Sequence, residues 1–306
     1  MFAAVDVGSN TVRMLLGDIS QGKVLPHKYE RRITRLSGGQ TDEGLAPEAM
    51  ERTLSALYEF VDIAQGHNPE LISVVGTEAL RSAVNHPEFL KTFQEETSLT
   101  LKVASGEEEA LLSARGALSA IDPTPDHSII IDIGGGSTEV VLVSHAEVLF
   151  KYSCPLGVVR LAELESAMDQ TENINQVIAE LNIAISSSGL QQFISHPDTV
   201  VIGTAGTITT LAALDLGLSV YDWRKVNNYR MRRSRIQYFL DELTPLSVRE
   251  REALPGMEEG RGDLIIPGLY ILTALLKLFG KEGLIVSDFG LLEGLLLQMA
   301  AAVACD

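Results

Sequence analysis

Two aspartates stand at the ends of apolar runs, and each is followed at once by a turn of glycine and small polar residues. They are Asp6-Val7-Gly8-Ser9-Asn10 and Asp132-Ile133-Gly134-Gly135-Gly136. A turn without bulky side chains exposes successive backbone N–H groups, and such a concavity receives phosphate oxygens. Ser9, Ser137 and Thr138 add hydroxyl donors. Gly and Asn tolerate positive φ, so tight hairpin turns at left-handed residues are expected here. A carboxylate beside a phosphate is repulsive unless a cation lies between them. Mg²⁺, which takes oxygen ligands and substrate phosphates, is the natural bridge. One such turn is a weak signal, because structural hairpins are common. Two of them, each at the head of one half of the chain, point to a paired phosphate site.

A second signal is Ser105-Gly106-Glu107-Glu108-Glu109-Ala110, where a short strand gives way to a helix. Acids in a first helical turn complement the dipole and can close a capping box. That role occupies one or two of the glutamates and leaves a carboxylate to orient and deprotonate an attacking water. Cations follow. Arg13 comes just after the first turn, and Arg81 lies in Thr77-Glu78-Ala79-Leu80-Arg81. Guanidinium groups grip phosphate in bidentate fashion and offset transition-state charge; a surface arginine is the bland alternative. Finally, Gly203-Thr204-Ala205-Gly206-Thr207-Ile208 reads as strand, glycine loop and helix start. A helix N-terminus of this kind receives an anion or a nucleotide.

The elements that must carry these residues follow from periodicity. Residues 2–7 and 12–19 read as strands around the first turn, and 128–132 and 138–143 as strands around the second. This internal repeat predicts two duplicated lobes facing each other. Met50, Leu54, Leu57, Phe60, Val61 and Ala64 recur at helical spacing over 48–65. Further strands are expected at 71–76, 99–104, 199–202 and 283–286, with helices over 77–83, 107–120, from 207, 263–279 and 289–303. Asp122-Pro123-Thr124-Pro125-Asp126 cannot continue a helix and is the expected boundary. The predicted domains are 1–124 and 125–288, with the C-terminal helix, about 289–306, packing on the first.

Composition sets bounds. The 306 residues suffice for two ordinary domains, and 45% hydrophobic with 21% charged residues is the balance of a folded chain. Cys154 and Cys305 are too few for a disulfide framework, which fits a reducing compartment. The N-terminus shows no basic region with a cleavage site, and the most apolar stretch, 264–279, is broken by Pro267 and Lys277. A cytoplasmic location with no membrane partner is therefore expected. A formal charge of −17 argues against nucleic acid as a partner. A polyanionic substrate would need a local basic strip. One candidate is Arg31, Arg32 and Arg35; the other is Arg224, Lys225, Arg230, Arg232, Arg233 and Arg235. Solvated surface is the alternative for each.

Taken together, these segments resemble the exopolyphosphatase / guanosine pentaphosphate phosphohydrolase (Ppx/GppA) family. The matching runs occur in order: AAVDVGSNTVRMLL at 3–16, VVGTEALRSAVN at 74–85, SGEEEALLSARGAL at 105–118, IIIDIGGGSTEVVLV at 129–143, PLGVVRL at 155–161 and VIGTAGTITTLAAL at 201–214. Arg261 to Gly268 and VSDFGLLEGLL at 286–296 complete the set. The resemblance implies an α/β fold of two actin-like (ribonuclease H-like) ATPase lobes with an interlobe active-site cleft. It implies Mg²⁺-dependent removal of the terminal phosphate of polyphosphate or of guanosine pentaphosphate. Glu109 matches the family's general base, with Arg81 and Arg13 as charge-offsetting partners. Asp132 and Glu139 match metal-associated positions, and Asp6, the carboxylate beside the first turn, is the further metal candidate. Gly8, Ser9 and Asn10 match the first phosphate loop, and Gly134, Gly135, Gly136, Ser137 and Thr138 the second. Gly206, Thr207 and Arg261 are expected near the phosphate chain or nucleotide. The resemblance leaves open a monovalent cation activator, guanosine tetraphosphate as a ligand, and a homodimer.

The chain departs from the family pattern in two places. Leu292 stands where an arginine usually precedes Glu293-Gly294, and Thr11 replaces a usual serine. The longer members' extra C-terminal helical domain has no counterpart, which predicts short polyphosphates as better substrates than long ones. Two rival readings remain at this point: a kinase or ATPase of the same superfold, and a non-catalytic alarmone-binding regulator. The first lacks a sugar-recognition signature, and the second would not need to keep Glu109, Asp132 and Glu139.

Overall fold

The computed structural model describes residues 1–164 and 166–304; Cys305 lies outside the described residues. The chain forms two compact units, Met1–Ser119 with Leu291–Asp306, and Ala120–Gly290. Both are α/β.

The first unit runs β1 (Phe2–Val7), β2 (Thr11–Ser20), β3 (Lys23–Ile33), α1 (Pro47–Gly66), β4 (Leu71–Gly76), α2 (Glu78–Ser82), α3 (His86–Thr97), β5 (Leu101–Val103) and α4 (Gly106–Ser119). Its sheet order is β3-β2-β1-β4-β5. β1 pairs antiparallel with β2 and parallel with β4, which pairs parallel with β5. β1 is apolar apart from Asp6 and buried throughout, as a central strand must be. Its side chains join Leu57, Phe60, Phe89 and Phe93 from α1 and α3 in one core.

The second unit runs β6 (His127–Ile133), β7 (Thr138–Ser144), β8 (Glu147–Cys154), α5 (Val158–Ala162), α6 (Ala167–Ser188), α7 (Gln191–Ser195), β9 (Val200–Thr204), α8 (Gly206–Asp215) and α9 (Trp223–Val226). It continues through β10 (Arg230–Arg232), α10 (Arg233–Leu243), α11 (Val248–Glu252), α12 (Ile265–Leu278) and β11 (Gly283–Val286). Its sheet order is β10-β11-β9-β6-β7-β8. Counting strands from the head of each unit and leaving out β10, both sheets read third, second, first, fourth, fifth. β10 is an added edge strand on the second. This repeated order is the actin-like, ribonuclease H-like fold. Pro267 falls in the first turn of α12, where its missing N–H costs nothing.

α13 (Leu291–Val303) returns to the first unit and lies against α4. A Cβ on Gly294 would stand 2.0 Å from the Leu112 carbonyl oxygen, so only glycine permits the two helices to approach this closely. Leu292, in the place of the family's arginine, is buried core. No described helix is long and apolar enough to cross a membrane.

Candidate functional site

Parallel pairing sets the C-terminal ends of β1, β4 and β5 level, with Val7 beside Gly76 and Gly76 beside Val103. The segments leaving those ends carry Gly8 to Asn10, Glu78 to Arg81, and Ser105 to Glu109. In the second unit Asp132 on β6 stands beside Thr204 on β9, and Gly203 beside Val286 on β11. The loop around Gly206 and the segment Ser287-Asp288 leave from there. Each unit thus gathers its sequence-predicted residues at one sheet edge, where open α/β sheets bind ligands.

The two hairpin turns share one construction. Gly8 N–H donates to the Thr11 carbonyl at 3.1 Å, and Gly134 N–H to that of Ser137 at 2.9 Å. Neither turn uses a left-handed residue, which corrects the expectation of positive φ. The glycines serve close approach instead. A Cβ on Gly8 would lie 3.1 Å from the Thr11 carbonyl oxygen, and one on Gly134 3.0 Å from that of Ser137. Each turn is braced by the segment after its unit's third strand. Thr34 and Arg35 N–H groups donate to the Asn10 carbonyl, and Ser37 N–H to that of Ser9. Val158 and Val159 do the same for Gly134 and Gly135, and Thr138 Oγ1 donates to the Leu156 carbonyl. The carbonyls are thereby turned toward protein partners.

The charges beside the turns differ. Asp6 faces Arg13 across the first hairpin, and Arg13 Nε donates to Asp6 Oδ2 at 2.9 Å. Asp6 is 1% exposed, and its Oδ1, like Asn10 Oδ1, is buried with no hydrogen-bond partner. In the second hairpin Asp132 faces Glu139, which is 2% exposed and accepts from Ser153 Oγ at 2.7 Å. Like charges directly opposed on a sheet repel, and a hard cation would offset that repulsion. Burial first, then the charges of Glu139 and Glu180, pushes the Cys154 thiol up to about 12, so it is no nucleophile at neutral pH.

Mg²⁺ commonly uses one or two carboxylates and completes its shell with water and phosphate. Within the second unit the Asp132–Glu139 pair fits that donor set; within the first, Asp6 Oδ1 is a buried acceptor. Among the described residues no three His, Cys, Asp or Glu side chains gather to hold a metal on their own.

Glu108 and Glu109 of α4 separate cleanly. Ser105 Oγ accepts from Glu108 N–H at 3.2 Å, and Glu108 Oε2 accepts from Ser105 N–H at 2.9 Å, closing a capping box. Glu108 also meets Lys102 at 2.7 Å, and these bonds, Lys102 first, hold its carboxyl down at about 2. Glu109 accepts instead from Arg81 Nη1 at 3.0 Å, and the same Nη1 donates to the Ala104 carbonyl at 2.8 Å. Glu109 is a mostly buried carboxylate whose guanidinium partner is fixed to backbone.

Sequence reasoning assigned no role to Glu78. It is 8% exposed, and Ser9 Oγ donates to its Oε2 at 3.5 Å. Its place between Thr77 and Arg81 in an otherwise apolar turn was the available signal.

In the second unit Ala205 holds φ 71° and ψ 174°, a region all but confined to glycine, immediately before α8. The Arg261 guanidinium lies across Gly206 so tightly that a Cβ there would be 1.9 Å from Nη2. Arg261 Nε donates to Glu258 at 3.0 Å. Thr207 is buried against Gly268. Arg261, Gly206 and Thr207 therefore meet at the helix N-terminus. Tyr221, which donates to Asp288, and Trp223, whose ring centroid lies 5.3 Å from that of Phe289 at a tilt of 36°, belong to the same unit and were not anticipated.

This arrangement has close relatives. A model of the "Ppx/GppA phosphatase family" matches residues 18–302. The chain is 31% identical to exopolyphosphatase 2 of Mycobacterium tuberculosis, over 97% of this chain and 98% of that protein. It is 29% identical to a bifunctional 3-dehydroquinate synthase/phosphatase of Fusobacterium nucleatum, over 97% of this chain and 46% of that one. Among solved structures, the Aquifex aeolicus PPX-GPPA enzyme superposes with a TM-score of 0.79 at 30% identity, covering 97% of this chain and 98% of its own. An exopolyphosphatase from Cytophaga hutchinsonii gives 0.86 at 27%, covering 98% of both. With its motifs, its repeated sheet order and a match spanning almost its whole length, the chain belongs to the Ppx/GppA phosphatase family.

Proposed function

We propose that the chain is a metal-dependent phosphohydrolase that releases the terminal phosphate of inorganic polyphosphate, and that Glu109 is its general base. What supports the reading most is the division of labour on α4. Glu108 is committed to the helix cap, while Glu109 is turned away from it and held by Arg81. Related exopolyphosphatases support the substrate class.

Glu109 orients a water and accepts its proton as the water oxygen bonds to phosphorus. The bridging P–O bond breaks, and its electron pair leaves on the shortened chain. Arg81 fixes the Glu109 carboxylate. The N–H groups of the two glycine turns other than those of Gly8 and Gly134, with the Ser137 hydroxyl, receive phosphate oxygens. The α8 N-terminus with Arg261 receives another. Asp132 and Glu139 would hold a divalent cation, which supplies charge neutralisation for the phosphoryl oxygens. Guanosine pentaphosphate carries the same terminal anhydride and is the second substrate to test. We place the reaction in the cytoplasm, where a reduced Cys154 is at home.

The experiment is phosphate release from tripolyphosphate, longer polyphosphates and guanosine pentaphosphate, side by side, with Mg²⁺ and with excess EDTA. Mg²⁺-dependent release without any added acceptor is the expected result. Turnover that requires an acceptor alcohol would replace the hydrolase with a kinase. Binding without release would leave an alarmone-binding regulator.

A further inference from the structure

The second unit carries a basic concavity away from the residues just described. Six cations crowd residues 224–235, and three of them have evident partners. Arg235 bonds Asp215 and lies over the Tyr238 and Phe239 rings. Arg224 lies over Trp223 at 4.6 Å, and Arg233 meets Glu282 at 3.7 Å. Arg230 and Arg232 are different. They flank the buried Met231 on the three-residue edge strand β10, so their side chains leave the same face. Both are exposed, and neither has a hydrogen-bond or ion-pair partner among the described residues.

These two arginines line a concavity of about 490 Å³ with the start of β9 and with Lys281 to Ile285. Arg232 stands opposite Gly283, where no side chain fills the space. Lys281 is anchored at its mouth by a 2.9 Å bond from Nζ to the His196 carbonyl, and burial lowers its pKa. The one carboxylate in the lining, Glu282, is already met by Arg233. Three cations thus converge on a hollow in a chain of net charge −17. The volume lies in the range of ordinary ligand sites. Six residues separate Val200 from Gly206, about 20 Å of extended chain, so the hollow sits at the far end of β9 from the Gly206 loop.

We propose that the β9–β10–β11 hollow is a second binding site for a phosphate chain, held by Arg230, Arg232 and Lys281 and separate from the hydrolytic residues. Arginine forks match phosphate oxygens in bidentate fashion, and an oligophosphate supplies several such groups in a row. A site of this kind would hold an incoming chain or sense its abundance without cleaving it. The proposal does not depend on the hydrolytic reading, because it concerns binding alone.

Calorimetric titration with inorganic tripolyphosphate in excess EDTA tests it, compared between the unaltered protein and an Arg230→Ala/Arg232→Ala double variant. The expected result is loss of one binding equivalent, or at least tenfold weaker binding, with an unchanged thermal midpoint. Restoration in Arg230→Lys/Arg232→Lys supports the same conclusion. If the double variant fails to fold, Arg232→Gln alone carries the test, with a loss of at least threefold. A parallel titration with guanosine triphosphate identifies the source: equal affinities mean that the phosphate chain alone is read, and tenfold tighter nucleotide binding means a nucleoside polyphosphate. An isotherm unchanged by these substitutions, or no binding of either anion to the unaltered protein, overturns the proposal.

Discussion

The two hairpins share a backbone and differ in charge. In each, a carboxylate seven residues ahead of a charged partner faces it across an antiparallel pair, and a four-residue turn closed by the same hydrogen bond joins them. In the first the partner is Arg13, so Asp6 is compensated by the chain itself. In the second the partner is Glu139, so two carboxylates face each other across the hairpin, and Glu139 also accepts from Ser153. One hairpin frame occurs twice, and the side chain opposite the aspartate differs: a guanidinium in the first and a carboxylate in the second.

That contrast is sharpened first by removing charge from the second hairpin. Asp132→Asn or Glu139→Gln should lower Mg²⁺-dependent turnover by about 10³-fold, several kcal/mol of transition-state stabilisation. The Mg²⁺ needed for half-maximal rate should rise at least about tenfold in the same titration. Wild-type Mg²⁺ dependence in both variants would break the comparison. The first hairpin should answer differently. Arg13→Gln leaves Asp6 buried beside no cation and should cost about 2 kcal/mol of stability by denaturant unfolding, less than a fully buried pair because Arg13 is partly exposed. Adding Asp6→Asn should recover part of that loss.

Strain gives a smaller effect. Ala205→Gly relieves a φ/ψ combination suited to glycine and should stabilise the second unit by about 1 kcal/mol, read from the thermal midpoint. The smallest effect is expected at Glu108. Its carboxyl is depressed to about 2, so its contribution is full above the ordinary carboxylate range and fades as pH falls toward 2. Glu108 is substantially exposed, so Glu108→Gln should cost at most about 1 kcal/mol at pH 7. The gap between variant and wild type should narrow as pH falls below about 4 and close near pH 2 in unfolding measured across pH.

Much of this was legible in the sequence because apolar spacing is a strong signal. The spacing from Met50 to Ala64 predicted a helix over 48–65, and the structure has Pro47–Gly66. Asp132 and Glu139 were matched by motif, and their opposition follows once the turn is four residues long. Other features needed three dimensions. β3 and β8 were missed because their residues are mostly exposed or half-buried and polar residues interrupt them; β3 also carries Pro26. α6 was missed although Ile174, Val177, Leu181 and Ile185 keep helical spacing, because its other positions are mostly polar. The turn glycines were read as left-handed, whereas close carbonyl approach is what requires them. Three consecutive glutamates look alike in sequence; Ser105 and Lys102 on one side and Arg81 on the other tell them apart.

The central claim rests on that last separation. Its direct test is phosphate release from tripolyphosphate under saturating Mg²⁺ by Glu109→Gln and Glu108→Gln, measured together. The account predicts a fall in kcat of about 10²–10⁴-fold for Glu109→Gln with little change in substrate affinity, the usual size of a general-base contribution, and near-wild-type turnover for Glu108→Gln. Wild-type turnover by Glu109→Gln, or inactivity of Glu108→Gln in its place, would contradict it.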